Sequence, residues 1–167
     1  MNIYLCGFMG CGKSHIGRLV ARETGYSFLD LDSYIEEKEG MSIPEIFDKL
    51  GEPHFRGLEE KYIREMPDGS IVATGGGAVI TPVTAEAARK AGKVVFLDAD
   101  FELCYNRIKG DTHRPLVMKN TKEQLLELFN KRREIYIKHS ELSVDANGTD
   151  TKTANDILKK VGFYDNL

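Results

Sequence analysis

Short runs of consecutive apolar residues alternate along the chain with segments whose apolar positions recur every three or four residues. Ile3-Tyr4-Leu5-Cys6 is such a run, suited to a strand covered on both faces. Ile16, Leu19 and Val20 then form a helical stripe that closes on the polar Glu23. Phe28-Leu29-Asp30 predicts a second strand, followed by helices over 34–38, 43–50 and about 55–65. Ile71-Val72-Ala73-Thr74 predicts a third strand that runs into Gly75-Gly76-Gly77. Beyond it the pattern gives a helix over 84–91, the strand Val94-Val95-Phe96-Leu97, a helix over 101–108 and a loop. A helix over 122–138, a short strand over 142–144 and a helix over 154–161 complete the series. Strands separated by helices pair in parallel through right-handed crossovers. The expected fold class is therefore α/β, a three-layer α/β/α sandwich around a central parallel sheet of about five strands. No linker, repeat or low-complexity segment interrupts the pattern, so one domain over 1–167 is expected.

Composition narrows the partners. The chain of 167 residues carries 26 acidic against 23 basic residues, a formal net charge of -3. Such a balance offers no overall positive field for a nucleic-acid backbone, so no nucleic-acid partner is expected. The first residues reach Gly7 with no basic residue before Lys13, a pattern of neither a signal peptide nor a membrane span. A cytoplasmic protein without a membrane partner is the expectation. Cys6, Cys11 and Cys104 lack CxxC spacing, so reduced thiols are expected, and the four histidines form no HExxH pair. Metal chemistry is left to oxygen ligands, which favours magnesium over zinc.

Gly7-Phe8-Met9-Gly10-Cys11-Gly12-Lys13-Ser14 matches G-x-x-x-x-G-K-[ST], after the first predicted strand and at the head of the first helix. Glycines let backbone N–H groups turn toward phosphate oxygens, the helix N-terminus adds unpaired donors, Lys13 adds a charge, and Ser14 can ligate magnesium. At this chain's composition the pattern would arise by chance in roughly 0.01 of sequences. Cys11 stands inside the loop, where cationic surroundings lower a thiol pKa; a small residue filling space is the plainer reading.

A phosphoryl transferase also needs carboxylates for the metal and for the attacking hydroxyl. Asp30 and Asp32 alternate with Leu29 and Leu31, so a continued strand would project both from one face at the ligand-binding end of the sheet. Helix capping by Asp32 or Ser33, with Glu36 completing a capping box, is the competing account. Asp98, at the end of an apolar run, competes with Asp30 for magnesium. The triple glycine would let backbone approach a ligand closely.

Among basic residues, Arg132 falls inside the stripe of Leu125, Leu128, Phe129 and Tyr136. There it either meets an anion or snorkels to water. Arg56 shares a predicted helix with Glu59 and Glu60 at surface ion-pair spacings. The segment 109–121, with Gly110, Arg114 and Pro115, has the make-up of a closing lid or of an ordinary surface loop.

Together these motifs resemble the shikimate kinases, small phosphate-loop enzymes akin to nucleoside-monophosphate kinases. The resemblance rests on GFMGCGKS at 7–14, Asp30-Leu31-Asp32, Phe55-Arg56-x-x-Glu59, Thr74-Gly75-Gly76-Gly77, Arg114-Pro115-Leu116, and Arg132 with Tyr136 four residues on. It implies transfer of the γ-phosphoryl of ATP to the 3-hydroxyl of shikimate, on the route to chorismate and the aromatic amino acids, by a monomer. It implies that Gly10, Cys11, Gly12, Lys13 and Ser14 cradle the ATP phosphates and that Ser14 binds Mg²⁺ with help from Asp30. By the same resemblance Asp32 activates the acceptor hydroxyl, Arg56 and Arg132 grip the shikimate carboxylate, and the backbone of Gly75, Gly76 and Gly77 meets its hydroxyls. Arg114 is then the lid arginine, catalytic with Lys13 and Asp32, and Arg107 lies against adenine.

Two positions depart from the family pattern. His15 follows Ser14 where many relatives have Thr, and bears on nucleotide binding. Arg133-Glu134-Ile135 stands where a proline is common, so Arg133 rivals Arg132. A gluconate kinase would share the phosphate loop without the Arg56, triple-glycine and Arg132 set. A guanine-nucleotide switch would need N-K-x-D, and Asn130-Lys131-Arg132-Arg133 lacks the aspartate.

Overall fold

The structure is a computed structural model that describes the backbone of residues 1–167 and every side chain but that of Asn166. The strands are β1 (Asn2–Cys6), β2 (Ser27–Asp30), β3 (Ser70–Ala73), β4 (Gly92–Asp98) and β5 (Leu142–Asp145). The helices are α1 (Lys13–Thr24), α2 (Leu31–Glu39), α3 (Ile43–Leu50), α4 (Glu52–Arg64), α5 (Pro82–Ala91), α6 (Phe101–Ile108), α7 (Pro115–Lys119), α8 (Lys122–His139) and α9 (Asp150–Lys160). The five strands form one parallel sheet in the order β2-β3-β1-β4-β5, as the alternation of strands and helices predicts.

Strand side chains alternate between the two faces, and β1 shows why its run is apolar throughout. Ile3 and Leu5 enter a cluster with Ile16 and Val20 of α1 and Ile157 and Leu158 of α9. Tyr4 and Cys6 enter the opposite one, with Leu58 and Tyr62 of α4, Ala85 and Ala88 of α5, and Tyr136 of α8. β1 is central, its Leu5 paired with Ala73 of β3 and Val95 of β4. The β1 and β3 carboxyl ends therefore open side by side, where parallel sheets bind ligands.

Several boundaries depart from the hydrophobic pattern. β2 stops at Asp30, whose carboxylate accepts a hydrogen bond from the Ser33 N–H at 3.0 Å and caps α2. Asp32 thus stands in the first turn of a helix, not on a continued strand, and Glu36 accepts from the Ile43 N–H instead of closing a capping box. α4 starts ahead of Phe55 because Gly51, at φ 86°, breaks the chain after α3 and Pro53 opens the next helix. α9 starts at Asp150 because Thr149 caps the Lys152 N–H. The segment 109–121 is no plain loop: Pro115 nucleates the short α7. Among the described residues no helix is long and apolar enough to cross a membrane.

Candidate active site

The phosphate loop joins β1 to α1, and Gly10 and Gly12 adopt φ values of 81° and 101°, a region that side chains disfavour. A Cβ on Gly10 would also lie 2.8 Å from the Cys104 carbonyl oxygen, so conformation and space both require glycine. Gly12 occupies the N-cap of α1 with no side-chain cap, leaving first-turn N–H groups to an anion. Lys13 reaches back over the loop and donates to the Gly7 and Phe8 carbonyls at 2.6 and 3.2 Å. Cys11 departs from its companions. Its N–H donates to the Phe8 carbonyl at 3.1 Å, and its thiol is 1% exposed within the core. Lys13 Nζ stands 3.7 Å from the Cys11 Sγ beneath the loop.

Gly10, Gly12, Lys13 and Ser14 line a cleft of about 460 Å³ together with His15, Asp30, Asp32, Arg107 and Arg114. Arg107, from α6, donates to the Gly10 carbonyl at 2.9 Å and so braces the loop. His15 pairs through Nδ1 with Asp150 at the start of α9. Asp150 is a cleft residue that sequence reasoning missed, since 135 residues separate it from its partner and its only local signal is that it opens a helix.

A second cleft of about 730 Å³ adjoins the first and contains Arg56, Arg132, Glu59 and the three glycines. The two share Met9, Asp32, Gly75, Gly76 and Arg114. Each glycine makes room for one charged side chain. A Cβ on Gly75 would stand 2.8 Å from Asp32 Oδ1, one on Gly76 3.0 Å from Arg132 Nη1, and one on Gly77 2.5 Å from Arg56 Nη1. Close approach, not backbone strain, accounts for the triple glycine. Gly77→Ala should therefore displace a flexible arginine tip at little cost to folding. Its melting temperature should stay within a few degrees of the parent while affinity for an anionic ligand of this cleft falls about tenfold, the equivalent of one weakened charged hydrogen bond.

Burial orders the charges here. Asp32 Oδ1 is buried and, among the described residues, without a hydrogen-bond partner. Burial holds its carboxyl above the ordinary aspartate range, Asp30 and Glu36 add to the effect, and Arg56 and Lys13 oppose it. Arg56 donates to Glu59 at 2.7 Å and to Glu52 at 3.4 Å. Glu59 is no surface partner, as its helical spacing suggests; it is 1% exposed. Glu60 makes the surface pair instead, with Arg64 at 2.8 Å.

Burial also lifts the Glu59 pKa to about 7, against the opposing charge of Arg56. The folded state thus holds this proton more tightly than the unfolded chain, so the associated stability is present at low pH and lost as pH rises. Between about pH 4.5 and 7 the native chain should lose on the order of 2 kcal/mol relative to Glu59→Gln. Denaturant titrations of both proteins across that window test it, and parallel profiles would refute the assignment.

Two choices that the sequence leaves open involve residues that meet each other. Arg133 donates from Nε and Nη2 to the two Asp98 oxygens at 3.0 and 2.7 Å, a bidentate fork. Both line a separate cleft of about 320 Å³, whereas Arg132 and Asp30 line the adjoining pair. Arg114, at the N-cap of α7, is steered from behind by Asp111, which accepts from its Nε at 3.0 Å.

The donor set also fits a magnesium ion. Ser14 and Asp30 offer oxygen alone, Asp32 lies in the same cleft, and magnesium takes few protein ligands when phosphates and waters complete its shell.

The model of a protein family described as shikimate kinase matches residues 9–162. A shikimate kinase of Geobacter sulfurreducens is 44% identical over 166 residues, covering 98% of this chain and 90% of the relative. The structure of a shikimate kinase from Acinetobacter baumannii in complex with shikimate is 36% identical and superposes with a TM-score of 0.87 over 98% of this chain and 93% of that one. That of a shikimate kinase from Aquifex aeolicus is 34% identical, with a TM-score of 0.83 over 98% of each chain. A phosphate loop, an orphaned aspartate and paired arginines gathered around one glycine run thus have a family: the chain belongs to the shikimate kinases.

Proposed function

We propose that this chain transfers the γ-phosphoryl of ATP to the 3-hydroxyl of shikimate, giving shikimate 3-phosphate and ADP. The observation that carries this reading is the junction of the two clefts. The phosphate-loop cleft and the arginine-rich cleft meet at Asp32, Gly75, Gly76 and Arg114, where a phosphoryl donor and its acceptor would come together.

The residues divide the work accordingly. The N–H groups around Gly10 and Gly12, with Lys13, hold the phosphates, and Arg107 and His15 border the nucleoside side. Arg56 and Arg132 present two guanidinium forks to the acceptor carboxylate. The Gly75–Gly77 backbone and Asp32 meet its hydroxyls. Asp32 takes the proton from the attacking hydroxyl, and its raised pKa suits it to that task. Ser14 and Asp30 would hold Mg²⁺, which offsets phosphate charge when bound. The segment 109–121 closes over both clefts and brings Arg114 to the transferring group. The domain over 1–167 acts as a cytoplasmic monomer, with no nucleic-acid or membrane partner.

The deciding experiment is ADP release from Mg-ATP by purified protein with shikimate, quinate, gluconate or no acceptor. Strong stimulation by shikimate alone is expected. Stimulation by gluconate instead, or tight ATP binding with no acceptor effect, would overturn the reading.

A further inference from the structure

Helix α8 meets the glycine loop through three side chains. Arg132 Nη1 lies against Gly76, Tyr136 donates its hydroxyl to the Gly76 carbonyl at 2.7 Å, and His139 Nδ1 bonds the Val79 carbonyl at 2.6 Å. Tyr136 is 1% exposed, and its ring stacks on Phe96 with centroids 5.5 Å apart. The ring's place in the apolar stripe needs only a phenyl group, so packing leaves the hydroxyl unexplained. That hydroxyl bonds the glycine against which Arg132 also lies.

We propose that Tyr136 is a positioning residue for the acceptor site, its hydroxyl fixing the Gly76–Gly77 peptide that lies against Arg132. This rests on the shikimate kinase reading of the site. The two ends of the loop are tied independently: Thr74 donates from its N–H and its hydroxyl to the Leu5 carbonyl at 3.0 and 2.9 Å, and His139 holds Val79. Between those ties run Ala78 and three glycines, the residues with the widest backbone freedom; the Ala78 N–H donates to the Gly75 carbonyl at 3.2 Å and the Thr81 hydroxyl to the Gly77 carbonyl at 3.4 Å, which leaves the Gly76 carbonyl to Tyr136. Among the described residues every peptide bond is trans, and in a trans peptide the carbonyl and the N–H point in opposite directions. Tying the Gly76 carbonyl to α8 therefore turns the Gly77 N–H away from α8. A loop fixed in this way meets its ligand without first being ordered, which is how preorganisation raises affinity.

Tyr136→Phe keeps the ring and the stack and removes only the hydroxyl. The shikimate KM should rise about tenfold, the scale of one buried hydrogen bond, while the ATP KM stays within about twofold. In free protein, amide hydrogen exchange over Gly75–Ala78 should quicken about tenfold while β1 and β4 keep their protection. Unchanged exchange in the loop would overturn the proposal, as would an equal rise in both KM values. Should the native chain fail to phosphorylate shikimate, the functional reading falls by itself. The exchange measurement needs no substrate and still decides whether Tyr136 orders the loop.

Discussion

Asp32→Asn should lower kcat about a thousandfold, within the range that a positioned general base contributes, and leave the ATP dissociation constant within about twofold. Asparagine has the shape of aspartate but cannot take the proton of the attacking hydroxyl. The carboxylate it replaces is an unfavourable feature of the resting protein, with Oδ1 buried and unpartnered and the pKa raised by burial and by Asp30 and Glu36. Removing that charge should relieve the fold. Its melting temperature is expected to hold or rise by a few degrees, since about 1 kcal/mol moves a protein of this size by that amount. Loss of activity with gain of stability is the signature of a functional charge held against its own preference. Turnover by ADP release, ATP binding by calorimetry and a thermal scan of the same preparation check the three parts. An equal loss of ATP binding would assign Asp32 to the metal or the nucleotide instead.

The parts of the molecule most legible in the sequence are those fixed by backbone requirements. Gly10 and Gly12 hold positive φ, and Lys13 and Ser14 must follow on the first turn of a helix, so a spacing rule captures the loop. The sheet is legible because strands buried on both faces are apolar throughout, as β1 is. Contacts between distant segments are not. Glu59 has the helical spacing of a surface ion pair, and only the packing of α4 against its neighbours shows it to be buried. Asp98 and Arg133 each carry a defensible functional reading alone, and only the fold shows that they pair. His15 has no local signal of a partner, and the Asp150 that meets it stands 135 residues away at the head of another helix.

The glycine run illustrates a different limit. Its composition suggests freedom of backbone, yet Gly75, Gly76 and Gly77 are not among the residues with positive φ. What they supply is clearance for Asp32, Arg132 and Arg56 in turn. A sequence displays the small residue but not the side chain that it admits. Asp30 shows the converse: its pattern suggests a strand face, while its carboxylate caps a helix and thereby sets Asp32 into the first turn facing the glycines.

Arg114→Ala should lower kcat by about a thousandfold, the low end of what an arginine aimed at a transferring phosphoryl group contributes, with much smaller changes in either KM. Arg114 alone among the arginines lines both clefts, the position from which a side chain would reach a donor and an acceptor together. Asp111 holds its Nε edge at 3.0 Å, which aims the two terminal nitrogens away from that contact. The charge that builds on the phosphoryl oxygens in the transition state exceeds the charge of bound ATP at those atoms, so the guanidinium acts on rate more than on binding. Arg114→Lys keeps the charge but loses the planar fork, and should recover only part of the lost rate. Steady-state kinetics in both substrates separate the cases. A loss confined to the ATP KM would place Arg114 in ground-state nucleotide binding, and full recovery by lysine would make charge alone, not geometry, the contribution of the lid.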